Sequence, residues 1–152
     1  MIDGSEGRVL IVDDDPLVTS MLGYLLKLES HFEHVEFNDP LAALEHLKSN
    51  TVDVIVSDFV MPPMDGLTFL GCARELQPEP ARILLTGYAD KESAIRSINT
   101  IGLYQYVEKP WDNQRLLLVF RNAAERTRLL RLLGDRNQSL DEMRERIWRA
   151  LL

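Results

Sequence analysis

With 152 residues and 45% hydrophobic content, the chain can bury one good core and has no room for a second full domain. A formal charge of −7 argues against nucleic acid or an anionic membrane surface as the ligand of the bulk of the molecule. One cysteine, Cys72, excludes an internal disulfide, and its Leu70-Gly71-Cys72-Ala73 helical context predicts a core or near-core thiol. Charge is unevenly spread: up to Trp111 there are 8 Lys/Arg and 18 Asp/Glu, net −10, and from Asp112 onward 9 Arg and 6 acids, net +3. Two structural parts are therefore expected. Met1 to Arg8 has no apolar signal core, and the longest apolar runs fall far short of the roughly 20 residues of a membrane span, so the expected location is cytoplasmic.

Arg8 to Val12 reads as a β-strand ending at Asp13, and Pro16 then sits in the first turn of a helix that Asp14 or Asp15 can cap. Leu17, Met21, Leu22, Leu25 and Leu28 carry that helix to about Glu29 at helical spacing. Phe32 to Phe37 is a second strand; Asn38 or Asp39 starts a helix with Pro40 in its first turn and Leu41, Leu44 and Leu47 as its stripe. Val52 to Ser57 is the third strand, Leu67 to Leu76 a helix ended by Pro78 and Pro80, and Arg82 to Thr86 the fourth strand. Asp90 to Ile101 is a helix with Ala94, Ile95, Ile98 and Ile101 inward, ended by Gly102, and Tyr104 to Glu108 is the fifth strand. Asp112 caps a last helix whose inner face begins with Leu116, Val119, Phe120 and Ala123.

Five alternations of strand and helix call for an α/β fold with a doubly wound, five-stranded parallel sheet and right-handed crossovers. Order 2-1-3-4-5 suits a chain this short, since the six-strand dinucleotide fold needs more length and a Gly-rich first turn. Here that turn is Asp13-Asp14-Asp15, which repels a pyrophosphate and attracts a hard cation.

In such sheets ligands bind beyond the carboxyl ends of the strands. Asp13, Asp14 and Asp15, then Asp58, Thr86 and Lys109, follow strands 1, 3, 4 and 5 to that edge. Clustered carboxylates either raise a pKa or recruit a divalent ion, and Mg2+ suits carboxylate, carbonyl and water oxygens while leaving room for phosphate. Asp58 can attack phosphorus, with the metal and Lys109 neutralising equatorial oxygens and the Thr86 hydroxyl donating to one of them. The product is an aspartyl phosphate. His31, His34 and His46 show no ligand spacing and are expected at the surface.

From about Arg8 to Arg121 the chain resembles a response-regulator receiver domain of two-component signalling, a flavodoxin-like fold. The resemblance is carried by Val9-Leu10-Ile11-Val12-Asp13-Asp14-Asp15, Ser57-Asp58 through Met64-Asp65-Gly66, Leu84-Leu85-Thr86-Gly87 and Val107-Glu108-Lys109-Pro110. It implies Asp58 as phosphoacceptor, Asp14 as direct Mg2+ ligand, Asp13 acting partly through water, and the Val60 carbonyl as a further ligand. It also implies a switch in which Thr86 moves onto the phosphoryl group and Tyr106 turns inward, and a cis Lys109-Pro110 bond that aims the ammonium at the site. The implied partners are a sensor histidine kinase or phosphotransfer protein and an output domain or partner protein. Such a domain is not an enzyme beyond its own phosphorylation and dephosphorylation. Val60 and Tyr88 stand where many relatives carry polar groups that place water, so a long-lived phosphorylated state is expected.

Two rival functions are weighed. A haloacid-dehalogenase-type phosphatase would use Asp13 and Asp15, yet nothing after Asp112 supplies its later acidic motif or cap. A non-phosphorylated dimerisation module leaves the filled acceptor, metal and lysine positions unexplained.

The expected division is a receiver at 1–124, with 1–7 flexible, and a helical extension at 125–152. Placing Leu130, Asn137, Arg144 and Leu151 at heptad position a puts Leu133, Leu140 and Ile147 at d, which predicts a parallel coiled-coil homodimer, although Arg144 and Gly134 fit it poorly. The alternative is an amphipathic helix folded back on its own domain. A nucleic-acid-binding helix is disfavoured by the interspersed acids and the leucine seam. Ile98-Asn99, Gly102 and Tyr104, with Lys109-Pro110-Trp111-Asp112, are similar to receivers joined to cyclic-dinucleotide phosphodiesterase, cyclase or phosphatase outputs. No catalytic motif of such an output lies in these residues, so the chain is expected to be a fragment or to act through a separate partner.

Overall fold

A computed structural model describes residues 4–151, without the side chains of Tyr88, Ser97 and residues 135–139. The order is β1 (Arg8–Val12), α1 (Pro16–Glu29), β2 (Glu33–Phe37), α2 (Pro40–Leu47), β3 (Val54–Asp58), α3 (Gly66–Leu76), β4 (Ala81–Thr86), α4 (Lys91–Thr100), β5 (Gln105–Glu108) and α5 (Asn113–Leu151). All strands pair in parallel, in the predicted order β2-β1-β3-β4-β5. A 3-10 turn, Tyr88–Asp90, precedes α4, so that helix starts one residue later than predicted.

The three central strands are buried on both faces, which is why they read as unbroken apolar runs. Alternation then sorts their side chains. Val9, Ile11, Val54, Val56, Ile83 and Leu85 pack with α1 and α5 on one face. Leu10, Val12, Ile55 and Leu84 pack with α2, α3 and α4 on the other. Asp15, rather than Asp14, caps α1 by accepting the Leu17 N–H, and Asp39 caps α2 through Leu41.

Several buried stripes differ from the predicted ones. In α1 the inner residues are Thr19, Leu22, Gly23 and Leu26, while Leu17, Met21, Tyr24 and Leu28 form a second apolar row left in solvent. Both rows have helical spacing, and the packing of Gly23 against His34 and Glu36 of β2 decides between them. Leu41, Ile95 and Ile98 are likewise exposed; Ala43 turns inward in α2, and in α4 the inward side is the predicted Ala94, with Ile101 packed beside it. Cys72 is exposed, not near the core. Phe69, Leu70 and Ala73 take the buried side of α3, and Cys72 lies off that side. His46 is half-buried beside Phe37 (ring centroids 5.1 Å apart), with Nε2 buried and without a hydrogen-bond partner, so it is not a surface histidine.

Helix α5 runs unbroken through Gly134, and Leu116, Leu117, Phe120, Ala123, Ala124 and Thr127 are buried. Glu6 is tied to this frame by Arg121 and by the His31 N–H. Among the described residues, no helix is long and apolar enough to cross a membrane.

Candidate functional site

β3 ends on Asp58 itself, one residue later than the predicted end, and the chain then breaks away through Val60 to Asp65. Pairing of Asp58 with Leu85 brings Thr86, one residue on, to the same edge, and Thr86 in turn pairs with Glu108 beside Lys109. The Lys109 N–H donates to the Thr86 carbonyl at 2.8 Å, which holds the chain after β5 on β4. Lys109 Nζ then lies 2.5 Å from Asp58 Oδ1. The Lys109–Pro110 peptide is cis.

β1 delivers the acids. Asp13 and Asp58 are buried and Asp14 is exposed, and one carboxylate oxygen from each lies within 4.8 Å of the others. Asp13 Oδ1 accepts the Asp15 N–H at 2.9 Å, whereas Oδ2 is buried with no partner. Burial above all, with the charge of Asp58 adding, pushes the Asp13 carboxyl up to about 6. A buried oxygen without a donor beside two further carboxylates is the environment a hard divalent cation completes. Thr86 Oγ1 is also fully buried and without a partner, so a hydroxyl donor waits at the same edge.

Asp15 spends its Oδ1 on the α1 cap and stands outside the acidic cluster, where a phosphatase acid would have to be. Tyr106 is half-buried and packs on the α2–α3–α4 side of the sheet. Val60 is 59% exposed. The Tyr88 side chain falls outside the described ones. Two supports escaped sequence reasoning. Asn38 Nδ2 donates to the Asp13 carbonyl at 2.9 Å and to Thr19 Oγ1 at 3.0 Å, fixing the turn that carries the acids. Ser57 Oγ donates to the Asp58 carbonyl at 2.9 Å. No spacing rule points to either, because each bond joins residues through the fold or through one local rotamer.

A family description, the response regulator receiver domain, matches residues 9–121. The chain belongs to this family. It is 38% identical over 120 residues to the hydrogenase transcriptional regulatory protein HoxA of Cupriavidus necator, covering 79% of this chain and 24% of that protein. The corresponding protein of Bradyrhizobium diazoefficiens is 34% identical over 124 residues, covering 82% and 25%. The receiver chain thus spans about a quarter of the length of these curated relatives. Among solved structures, the signal receiver domain of an HD domain-containing protein from Pseudomonas fluorescens matches with TM-score 0.75 at 35% identity, covering 82% of this chain and 90% of that one. A receiver domain protein from Clostridium thermocellum gives TM-score 0.75 at 28% identity, covering 81% and 98%.

The raised Asp13 value sets the receiver's pH response. Burial holds the folded-state Asp13 carboxyl up at about 6, above the ordinary aspartate value of 3.8, so between these values the folded chain holds the extra proton. Stability of the metal-free receiver therefore falls as pH rises through that window, by roughly 1–3 kcal/mol from this group. Asp13→Asn should flatten this slope in chemical denaturation at pH 5 and pH 7. Millimolar magnesium should restore stability to the wild type at pH 7 and do much less for the variant.

Proposed function

We propose that this receiver is a phosphoacceptor switch that takes a phosphoryl group on Asp58 from a histidine kinase or phosphotransfer protein and passes its state on through α5. The observation that carries this reading is the Asp58–Lys109 ion pair, set at the same edge as two buried oxygens without partners, Asp13 Oδ2 and Thr86 Oγ1. Asp13, Asp14, Asp58 and the Val60 carbonyl would hold magnesium, which supplies charge neutralisation for the phosphoryl oxygens.

Asp58 Oδ attacks phosphorus in line as the bond from phosphorus to the donor's histidine nitrogen breaks, and the nitrogen keeps the electron pair. The Lys109 ammonium leaves its ion pair with Asp58 Oδ1 to offset charge on an equatorial oxygen. The Thr86 hydroxyl turns to donate to another, which satisfies the buried oxygen it otherwise leaves unpaired. Withdrawal of Thr86 from its resting place gives Tyr106 the room to turn inward and carries the event to the β4–β5 edge of the sheet.

Incubation with magnesium and a small phosphodonor, followed by intact-mass measurement, tests the reading. A stable gain of about 80 Da on the wild type supports it. Turnover that depends on Asp13 would point to a phosphatase, and neither adduct nor turnover would leave a docking module. Val60→Asn combined with Tyr88→Glu should shorten the lifetime of the adduct by placing polar groups for water; an unchanged decay rate overturns the long-lived-state expectation.

The outputs of the relatives lie outside the matched quarter of their length, so the partner proposed for α5 is an output module, with the receiver acting in the cytoplasm. Leu130, Leu133, Leu140, Ile147 and Leu151 of α5 are all exposed, as a parallel two-chain coil requires. We read them as a homodimer seam. The Asn137 side chain lies outside the described ones. Truncation after Ala124 should convert a dimer, measured by light scattering, into a monomer.

A further inference from the structure

Helix α5 changes the side on which it carries apolar residues. At about 100° per residue, Leu116, Phe120, Ala123 and Thr127 share one side, and all are buried against the sheet. Leu118, Leu129, Leu133, Leu140 and Ile147 share the opposite side, and they are 57%, 49%, 56%, 54% and 55% exposed. At the changeover an outward residue is two positions, roughly 200°, from an inward one: Leu129 follows Thr127 in this way.

The helix is bolted down at that changeover. Thr127 Oγ1 donates to the Asp53 carbonyl at 2.7 Å and accepts the Ala81 N–H at 3.1 Å. One turn on, Arg131 Nη1 reaches Asp53 Oδ1 at 2.5 Å and Nη2 reaches the Val52 carbonyl at 2.7 Å. The other oxygen of Asp53 accepts the Arg8 N–H at 2.7 Å. Asp53 therefore joins the starts of β1, β3 and β4 to α5, at the sheet edge opposite Asp58. Two nitrogens of one planar guanidinium on two fixed oxygens restrain rotation of the helix as well as its position.

We propose that Asp53, Thr127 and Arg131 form a phase lock that holds the apolar side of α5 pointing away from the sheet, where the same side of a second copy docks. This rests on the homodimer proposed above. The second copy is the occupant because the row recurs at Leu129, Leu133, Leu140, Ile147 and Leu151 along the part of α5 that runs past the matched receiver residues, and a row of this kind is self-complementary about a two-fold axis parallel to it. In the heptad register given above, Arg136 falls at g and Asp141 at the following e, so the sequence places opposite charges at the flanking positions of two identical parallel helices. Docking on the side opposite the sheet leaves the two receivers on the outer flanks of the helix pair, with both Asp58 edges reachable by a phosphodonor.

The test uses the full chain with the exposed Cys72 replaced by Ser. Single cysteines at Leu133, Leu140 and Ile147 should oxidise to covalent dimers. Cysteines at Glu145 and Arg149, five turns beyond Thr127 and Arg131 on the sheet side, should not. Spin labels on Glu75→Cys, an exposed α3 position, should give one narrow distance between the two receivers. Arg131→Met keeps the alkyl stem and removes the fork; it should lose that narrow peak while the mass remains dimeric and Asp58 still gains its phosphoryl group. Thr127→Ala should do the same to a lesser degree. A monomeric mass overturns the homodimer and the lock together. A dimer that cross-links through Glu145 and Arg149, or keeps its narrow peak in Arg131→Met, overturns the lock alone. Phosphorylation of Asp58, read on the same samples, reports on the acceptor independently.

Discussion

Asp58→Asn abolishes the phosphoryl adduct: intact mass after incubation with magnesium and a phosphodonor should match the untreated protein, against a gain of about 80 Da for wild type. The amide keeps the shape and cannot attack phosphorus as a carboxylate does. Loss of the adduct will not reflect unfolding. Lys109 is partly exposed, at 34% of its side chain, so water takes over much of the lost ion pair, and the charge that helps raise Asp13 is gone. These changes oppose each other, and the net stability change should stay within about 1 kcal/mol by denaturation. An adduct retained on Asp58→Asn would move the acceptor to Asp13 or Asp14 and sink the proposed reading.

Gly66→Ala should be the most damaging single substitution outside the hydrophobic core. A Cβ at Gly66 would lie 2.0 Å from the Asp58 carbonyl oxygen, 2.9 Å from its carbon and 2.9 Å from Leu84 Cδ1. The first two are backbone atoms at the end of the central strand, so relief requires moving either α3 or the strand that presents Asp58. Such overpacking costs on the order of 3 kcal/mol, which for a chain of this size lowers Tm by roughly 6–12 °C. Phosphorylation should slow as well, because the displaced carbonyl belongs to Asp58, the proposed acceptor. Gly134→Ala is the matched control. Nothing lies within 4 Å of its added Cβ, and the exchange in mid-helix should stabilise by roughly 0.5–1 kcal/mol.

The acidic turn after β1, the run ending in Ser57-Asp58, and the Thr86 and Lys109 positions were legible because local chemistry forces them. Apolar runs make buried parallel strands, and Pro, Asp and Gly break the chain where the strands end. Strand–helix alternation then sends every such break to one edge. Strand order was read from the short chain and the acidic first turn, which leave out the six-strand dinucleotide fold. What stayed hidden depends on contacts between segments far apart in sequence. The apolar row of α1 that turns inward was unreadable because Leu17-Met21-Tyr24-Leu28 and Leu22-Leu26 have the same period. Only the approach of Gly23 to β2 separates them.

Asp53, Thr127 and Arg131 show the limit most plainly. Asp53 lies 74 residues from Thr127 and 78 from Arg131, and each residue type at its position is ordinary for a turn or a helix. The sequence alone determined which groups meet at the edge that carries Asp58, because strand ends carry them there regardless of side-chain detail. Tertiary structure decided how α5 is rotated and fixed at the opposite edge. Rotation of a helix about its own axis is set by packing and long-range hydrogen bonds, which no local pattern encodes.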